Sequence, residues 1–363
     1  MICIIIYTVN NTIYIEEIAM SKELTPFENW LRVVNGEMPE YVPINSPFGG
    51  GGDHKPFTSM TGPSFLNTFR GPQGGTDFWG VKYITNKETN YAAIPAPYDF
   101  LLTDIRKWRD VIKKPDFSDV DWEQQARKDK EEAAQRMPYD PTCQLLVASG
   151  FNDLFQQFIG MMGFTEGLCA INEEPEEVSE LLDFMNENAI YLTQHILDYY
   201  KPQALYILDD SASRLCPFMS PEVFEEMFVP RYKKTLQMAV DRGMPVFYHN
   251  CGKCQDFLKP MVDIGVKVWD PAQTENDFPW IKETLGRRLA INGGYEYKMP
   301  PEWPNVKEDD VRESVKKAFD MLAPGGGFIF SGHVQTLDFK DPDVIKVNGW
   351  IMDEGKKLAH MYY

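Results

Sequence analysis

From Cys143 to the C-terminus, short apolar runs alternate with longer amphipathic ones, and no other feature of the sequence restricts the fold as strongly. The short runs are CQLLVAS (143–149), ALYILDD (204–210), PVFYHN (245–250), VKVWD (266–270), RLAINGG (288–294) and GFIFSG (327–332). Between them lie segments with apolar residues at helical spacing. One is the long stretch 176–200, and another is 220–243, which opens on Ser-Pro and closes on Gly243. Apolar strands separated by helices predict a parallel sheet covered on both faces. A doubly wound sheet would carry a glycine-rich nucleotide loop after an early strand, and neither G-x-G-x-x-G nor G-x-x-x-x-G-K-[ST] occurs. A barrel instead collects its chemistry at the C-terminal strand ends. Those ends carry Asp209 and Asp210, then His249 and Cys251, then Asp270, then Asn292, the Gly293–Gly294 pair and Glu296, and lastly His333. The expectation is an α/β fold: a single distorted (β/α)8 TIM barrel.

The rest of the chain is less regular. Residues 26–34 have helical spacing, EYVPINSPF (40–48) reads as a strand running into a loop, and FWGVKYI (78–84) as a strand. A charge-dense excursion at about 103–140 contains an exposed helix at DVDWEQQARKDKEEAAQR (119–136). The opening MICIIIYTVNN is too short to span a membrane and lacks the flanks of a signal peptide. Because MSKELTPFENW from Met20 reads as an ordinary start, residues 1–25 are taken as an N-terminal extension and 26–363 as one barrel domain. A net charge of −18 argues against nucleic acid and anionic membrane as partners. The six cysteines show no disulfide-framework spacing, so a reducing cytoplasm is expected.

His249-x-Cys251 puts an imidazole and a thiol on one side of an extended chain, because side chains alternate along a strand. Both are zinc ligands, and His333 from the last strand is a candidate third, leaving an open position in the manner of a catalytic site. The same residues admit a redox reading through Cys251-x-x-Cys254, a Cys–His nucleophile pair, or an inert buried pair at the rim. Cys254 is expected to face the helix–sheet interface. Asp270 after its strand reads first as a helix N-cap, whereas one of Asp209 and Asp210 is a candidate for chemistry. His195 and His360 read as structural. His54, after four glycines, is a candidate substrate contact, together with Asn292 and Glu296.

YHNCGK, LDDSASRLCPFMSPEVFEEMFVPRYKK, LGRRLAINGGYE and GGFIFSGH together resemble the uroporphyrinogen decarboxylase superfamily, as does the opening TPFENWLRVVNGEMPEYVPI. The likeness is clearest from Cys143 onward. It implies a distorted (β/α)8 barrel. The decarboxylases of that superfamily use no metal and hold a porphyrinogen with an early arginine-rich segment, for which this chain has NSPFGGGGDHKPF instead. Its other branch comprises zinc- and corrinoid-dependent methyltransferases, of the coenzyme M and anaerobic O-demethylase types, to whose zinc-binding His-x-Cys His249 and Cys251 correspond. Coenzyme M methyltransferases take the third ligand from a cysteine on the last strand. This chain has His333 in that neighbourhood, with Asp210 and Glu296 in reserve.

The resemblance implies methyl transfer between a small substrate, here a methoxylated aromatic, and the cobalt of a corrinoid. No Asp-x-His-x-x-Gly motif is present, so the corrinoid is expected on a partner protein, and a homodimer is admissible. Asp210, Tyr248 and Asp209 are the candidates for positioning substrate or supplying a proton. The aromatic residues Phe57, Phe65, Phe69, Phe78, Trp79 and Tyr91 read as core or as walls of an aryl pocket. The alternatives are a metal-free decarboxylase and a non-catalytic metal- or corrinoid-binding barrel.

Overall fold

The computed structural model describes residues 2–9, 12–19, 24–45, 56–87, 91–336 and 338–363. Its centre is a seven-stranded parallel sheet of β3 (Thr58–Thr61), β7 (Leu145–Ser149), β8 (Ala204–Leu208), β9 (Val246–His249), β10 (Val266–Ala272), β11 (Ala290–Tyr297) and β12 (Phe328–Val334). The strands lie side by side in chain order. Each returns to the next through one or more helices, among them Leu154–Met162, Pro175–His195, Val229–Val240, Gln255–Asp263, Phe278–Leu285 and Glu308–Leu322, and Pro342–Leu358 follows β12. Two antiparallel pieces stand apart: a hairpin of β1 (Ile2–Val9) and β2 (Thr12–Ala19), and a small sheet of β4 (Gly75–Thr76), β5 (Lys82–Ile84) and β6 (Ile94–Pro95). No helix among the described residues is long and apolar enough to cross a membrane.

Two apolar layers explain the curvature. The larger fills the space between sheet and helices, with Leu205, Ile207, Tyr248, Trp269, Ile291 and Phe330 from the strands. The other lies on the opposite face. Val147, Ala204, Phe247, Val268, Ala290 and Ile329 meet there, together with Phe57 just before β3. Residues from so many neighbouring strands can share one cluster only if the sheet curls around them. The helix Pro26–Val34 caps this interior beneath the strand N-termini, burying Trp30, Val33 and Val34, and Trp30 stacks on Phe57 and meets Phe247 edge-on. Thr25 and Glu28 start this helix with a reciprocal capping box: Glu28 N donates to Thr25 Oγ1 at 3.1 Å and Thr25 N to Glu28 Oε2 at 2.8 Å.

The expected strand at 40–48 is reduced to one parallel bridge, Ile44 to Phe330, with Asn45 N donating to Phe330 O at 2.8 Å and Phe330 N to Pro43 O at 2.9 Å. This segment runs beside β12. Among the described residues no ladder joins it to β3, so the sheet is a curled, open half-barrel. The glycine-rich run and His54 lie outside the described residues. FWGVKYI also differs from expectation, being strand only at Lys82–Ile84. The Asp77 carboxylate accepts from Trp79 N and Val81 N, both at 2.9 Å, and so ties the first half of that run into a turn. The charged helix occupies Trp122–Arg136.

Candidate metal centre and cavity

At the C-terminal edge of the sheet the chain parity decides what faces inward. Tyr206 and Phe247 belong to the inner layer, so Asp210, four residues past Tyr206, and His249, two past Phe247, emerge on the same side. His249 ends β9, and Cys251 follows in the turn to the helix Gln255–Asp263. One ligand atom from each of Asp210, His249 and Cys251 lies within 4.8 Å of the others. His249 Nε2 is 3.5 Å from Cys251 Sγ and 3.9 Å from Asp210 Oδ1.

Asp270 orients the imidazole. His249 Nδ1–H donates to Asp270 Oδ1 at 2.9 Å, and the Tyr206 hydroxyl donates to the same oxygen. This fixes the tautomer and leaves Nε2 as the lone-pair donor facing Cys251, the arrangement that holds metal-ligating histidines. Asp270 therefore sits within β10 as the partner of His249, not as a helix cap. Burial opposes charge on His249, but the bond to Asp270 and the contact with Cys251 outweigh it and raise its basicity. Burial pushes the Cys251 thiol up, His249 draws it down, and the charge of Asp210 adds to the rise.

The loops are pinned to one another. Cys251 N donates to Asp210 Oδ1 at 2.7 Å and Gly252 N to Gln273 Oε1 at 2.6 Å, while Gln273 Nε2 donates to Glu296 Oε1 at 3.0 Å. Gly252 has φ +82°, and a Cβ there would meet Ser213 O at 2.5 Å. The donor set of carboxylate, imidazole and thiol, with a carboxylate behind the imidazole, fits zinc.

Asp210 and His249 also line a cavity of about 530 Å³. Phe69, Phe78, Tyr83, Phe100, Phe151 and Phe164 contribute aromatic walls, and Arg70, Asp77, Asp153 and Gln157 supply further polar groups. Of the six aromatic residues singled out in the sequence, Phe69 and Phe78 line it. Phe57 belongs to the sheet interior, and Phe65 packs on Phe117 and Trp122. Trp79 is buried with its indole N–H on Gln157 at 2.7 Å, and Tyr91 is exposed.

Two of the candidate catalytic residues point the other way. Tyr248 is fully buried between sheet and helices, where its hydroxyl accepts from Asn250 Nδ2. Asp209 is equally buried. It accepts from Phe155 N at 2.9 Å and Gln156 N at 3.0 Å, capping the neighbouring helix, and from the Tyr232 hydroxyl. Each stands between inward-facing residues, Asp209 between Leu208 and Asp210 and Tyr248 between Phe247 and His249, so its side chain falls on the helix side of the sheet. His333 lies on β12 opposite Glu296 and is not one of the three clustered ligands. Burial lowers its basicity, partly offset by Glu296. Asn292 accepts from Asn45 Nδ2 at 3.3 Å and ties the first segment to β11. Cys254 is buried and donates to Asn250 O at 3.4 Å. His195 stacks among Trp122 and Tyr191, and His360 on Tyr41.

Sequence reading passed over Tyr206, Gln273 and Asp153, and gave Asp270 too little weight. The strand period was the available signal for Tyr206 and Asp270: Tyr206 is two residues before Leu208 and four before Asp210, and Asp270 is two past Val268. Gln273 and Asp153 carry no such mark, since each acts from a loop.

A family model described as uroporphyrinogen decarboxylase (URO-D) matches residues 154–346, just over half of the chain. No curated protein matches. Among solved structures, a methyltransferase from Methanosarcina mazei is similar, with a TM-score of 0.60 at 14% identity, covering 92% of this chain and 100% of that one. At that identity the likeness is one of fold. Because the family match spans every strand that carries Asp210, His249, Cys251 and Asp270, it includes the whole cluster, and the chain belongs to the uroporphyrinogen decarboxylase family.

Proposed function

We propose that this protein is a zinc-dependent methyltransferase that moves a methyl group between a small substrate and the cobalt of a corrinoid carried by a partner protein. The observation that carries this reading is the convergence of Asp210, His249 and Cys251, two of which, Asp210 and His249, line an aromatic cavity, with Asp270 behind the imidazole. Asp210 takes the role of third ligand that His333 was expected to fill. When bound, zinc supplies a Lewis acid for the atom that the methyl group leaves or joins.

The chain's own residues do the rest. Asp270 and Tyr206 keep Nε2 of His249 aimed at the ligand cluster. The bond from Cys251 N to Asp210 Oδ1 holds two of the donors in register before any metal arrives. Phe69, Phe78, Phe100, Phe151 and Phe164 favour a planar apolar substrate and exclude water around it. A methoxylated aromatic meets that description, so the favoured reaction is O-demethylation. His54, Asn292 and Glu296 remain substrate-contact proposals, with Glu296 reaching the metal-ligand loop through Gln273. We read the sheet as a distorted (β/α)8 barrel whose first strand is Val42–Asn45, and the protein as cytoplasmic.

Porphyrinogen decarboxylation is disfavoured on charge. A porphyrinogen is a polycarboxylate, and Arg70 is the single lysine or arginine among the residues lining this cavity. The test is anaerobic incubation of the zinc-loaded protein with Co(I) cobalamin and a panel of methoxyarenes. Methylcobalamin should form, and should fall to background in His249→Ala and Cys251→Ser. No methyl transfer from any donor would overturn the reading.

A further inference from the structure

We propose that Asp153 is the acid that protonates the departing oxygen of the methyl donor, an inference that rests on the methyl-transfer reading above. Asp153 occupies the cap position of the helix Leu154–Met162, yet its side chain makes no capping bond. Asp209, reaching across from the end of β8, takes the N–H groups of Phe155 and Gln156 instead. The Asp153 carboxyl is thereby released from a structural task. It receives Gln157 Nε2 at 2.5 Å and lines the same cavity as Asp210 and His249.

The other acids of the cavity are committed elsewhere. Asp77 binds two backbone N–H groups, and Asp210 belongs to the ligand cluster. Tyr248 is sealed in the sheet–helix layer. The charged and titratable groups facing Asp153 are Arg70, Asp77 and Tyr83 from the segment 64–95, Asp209 from the β8 end, and Tyr232 from the helix Val229–Val240. Burial raises the Asp153 carboxyl above the usual range, while Gln157 and Arg70 pull the other way. The charge of Asp153 acts on its neighbours in turn, adding to the rise that burial gives Asp209, to about 8, and Asp77, to about 6. A carboxyl in an aromatic-walled cavity, where burial favours its protonated form, is suited to general acid work.

In the step assigned to it, the methyl carbon–oxygen bond breaks and its electron pair stays on the aryl oxygen. The Co(I) corrinoid supplies the pair for the new bond to the methyl carbon. The Asp153 proton passes to the oxygen, which leaves as a neutral phenol. Asp153 is left as a carboxylate and regains its proton from water.

The experiment compares wild type and Asp153→Asn, both zinc-loaded, on methoxyarenes whose phenols range from weakly to strongly acidic. The asparagine Oδ1 still accepts from Gln157, so the helix start is kept. The expected result is a loss of about 10²- to 10⁴-fold on unactivated donors, shrinking to a few-fold on a nitro-substituted donor whose phenolate leaves unaided. A second readout is the affinity for 2,4-dinitrophenolate across pH. It should fall with rising pH in wild type and stay flat in Asp153→Asn. A uniform loss across the donor series, or the same pH response in both proteins, overturns the role of Asp153 alone. No transfer from any donor by wild type overturns the methyltransferase reading with it.

Discussion

His249 has its two ring nitrogens committed in opposite directions, Nδ1 to Asp270 and Nε2 towards Cys251 and Asp210. The first commitment makes the second usable. Asp270→Asn keeps the shape but can present its amide N–H to Nδ1 and reverse the tautomer. We expect zinc affinity to fall by about 10- to 100-fold, read by competition with a chromophoric chelator, with the fold unchanged by circular dichroism. Unaltered affinity would remove Asp270 from the site. The sequence made His249 and Cys251 legible because they stand two apart on an extended chain. Applied consistently, the same period turns Asp209 and Tyr248 away from the mouth, since they are neighbours of inward-facing residues. Their polar character drew attention that their parity does not support. Asp153 was invisible for a different reason. Its freedom depends on Asp209 capping a helix from another strand, a contact made only in three dimensions.

Among the elements, the six apolar runs from Cys143 onward all became strands because each is short, β-rich and bounded by turn residues. The first third was poorly legible because side-chain bonds and aromatic contacts organise it, as Asp77 shows by folding half of an apparent strand into a turn. Two predictions belong at this scale. Gly252 is held at φ +82° against the backbone of Ser213, so Gly252→Ala must shift the turn that carries Cys251. It should leave a folded protein with much weakened zinc binding, measurable by metal analysis beside thermal denaturation, and full retention of zinc would contradict this. The second concerns Lys282 on the helix Phe278–Leu285, whose Nζ donates to Leu322 O, and to Gly326 O at 3.0 Å. Burial lowers its pKa from 10.5 to about 8. Between those values the unfolded chain binds more protons than the fold, so this group makes stability rise with pH across that window and adds no slope well below it. Relative to Lys282→Met, the wild type should therefore gain in melting temperature from about pH 8 towards 10.5. A constant difference would show that the buried amine does not titrate there.

As a whole, the molecule sets an aromatic cavity and a three-donor cluster against one another at the C-terminal edge of a curled parallel sheet, with a helix sealing the opposite end. The α/β class and its parallel sheet were readable from strand order, and the strand ends supplied His249, Cys251 and Asp210, which the fold brings together. Which of Asp210 and His333 would join His249 and Cys251 was not, because only the curvature of the sheet sets Asp210 beside Cys251. The proposed chemistry depends most on Asp210, His249 and Cys251 forming a metal site. The measurement that tests this directly is the metal content of anaerobically purified wild type beside Asp210→Asn, His249→Ala, Cys251→Ser and His333→Ala, each checked for folding. Near-stoichiometric zinc is expected in wild type and in His333→Ala, with loss in His249→Ala and Cys251→Ser and weakening in Asp210→Asn. A folded wild type that takes up no zinc when it is supplied, or one that loses zinc with His333 and keeps it without Asp210, would contradict this.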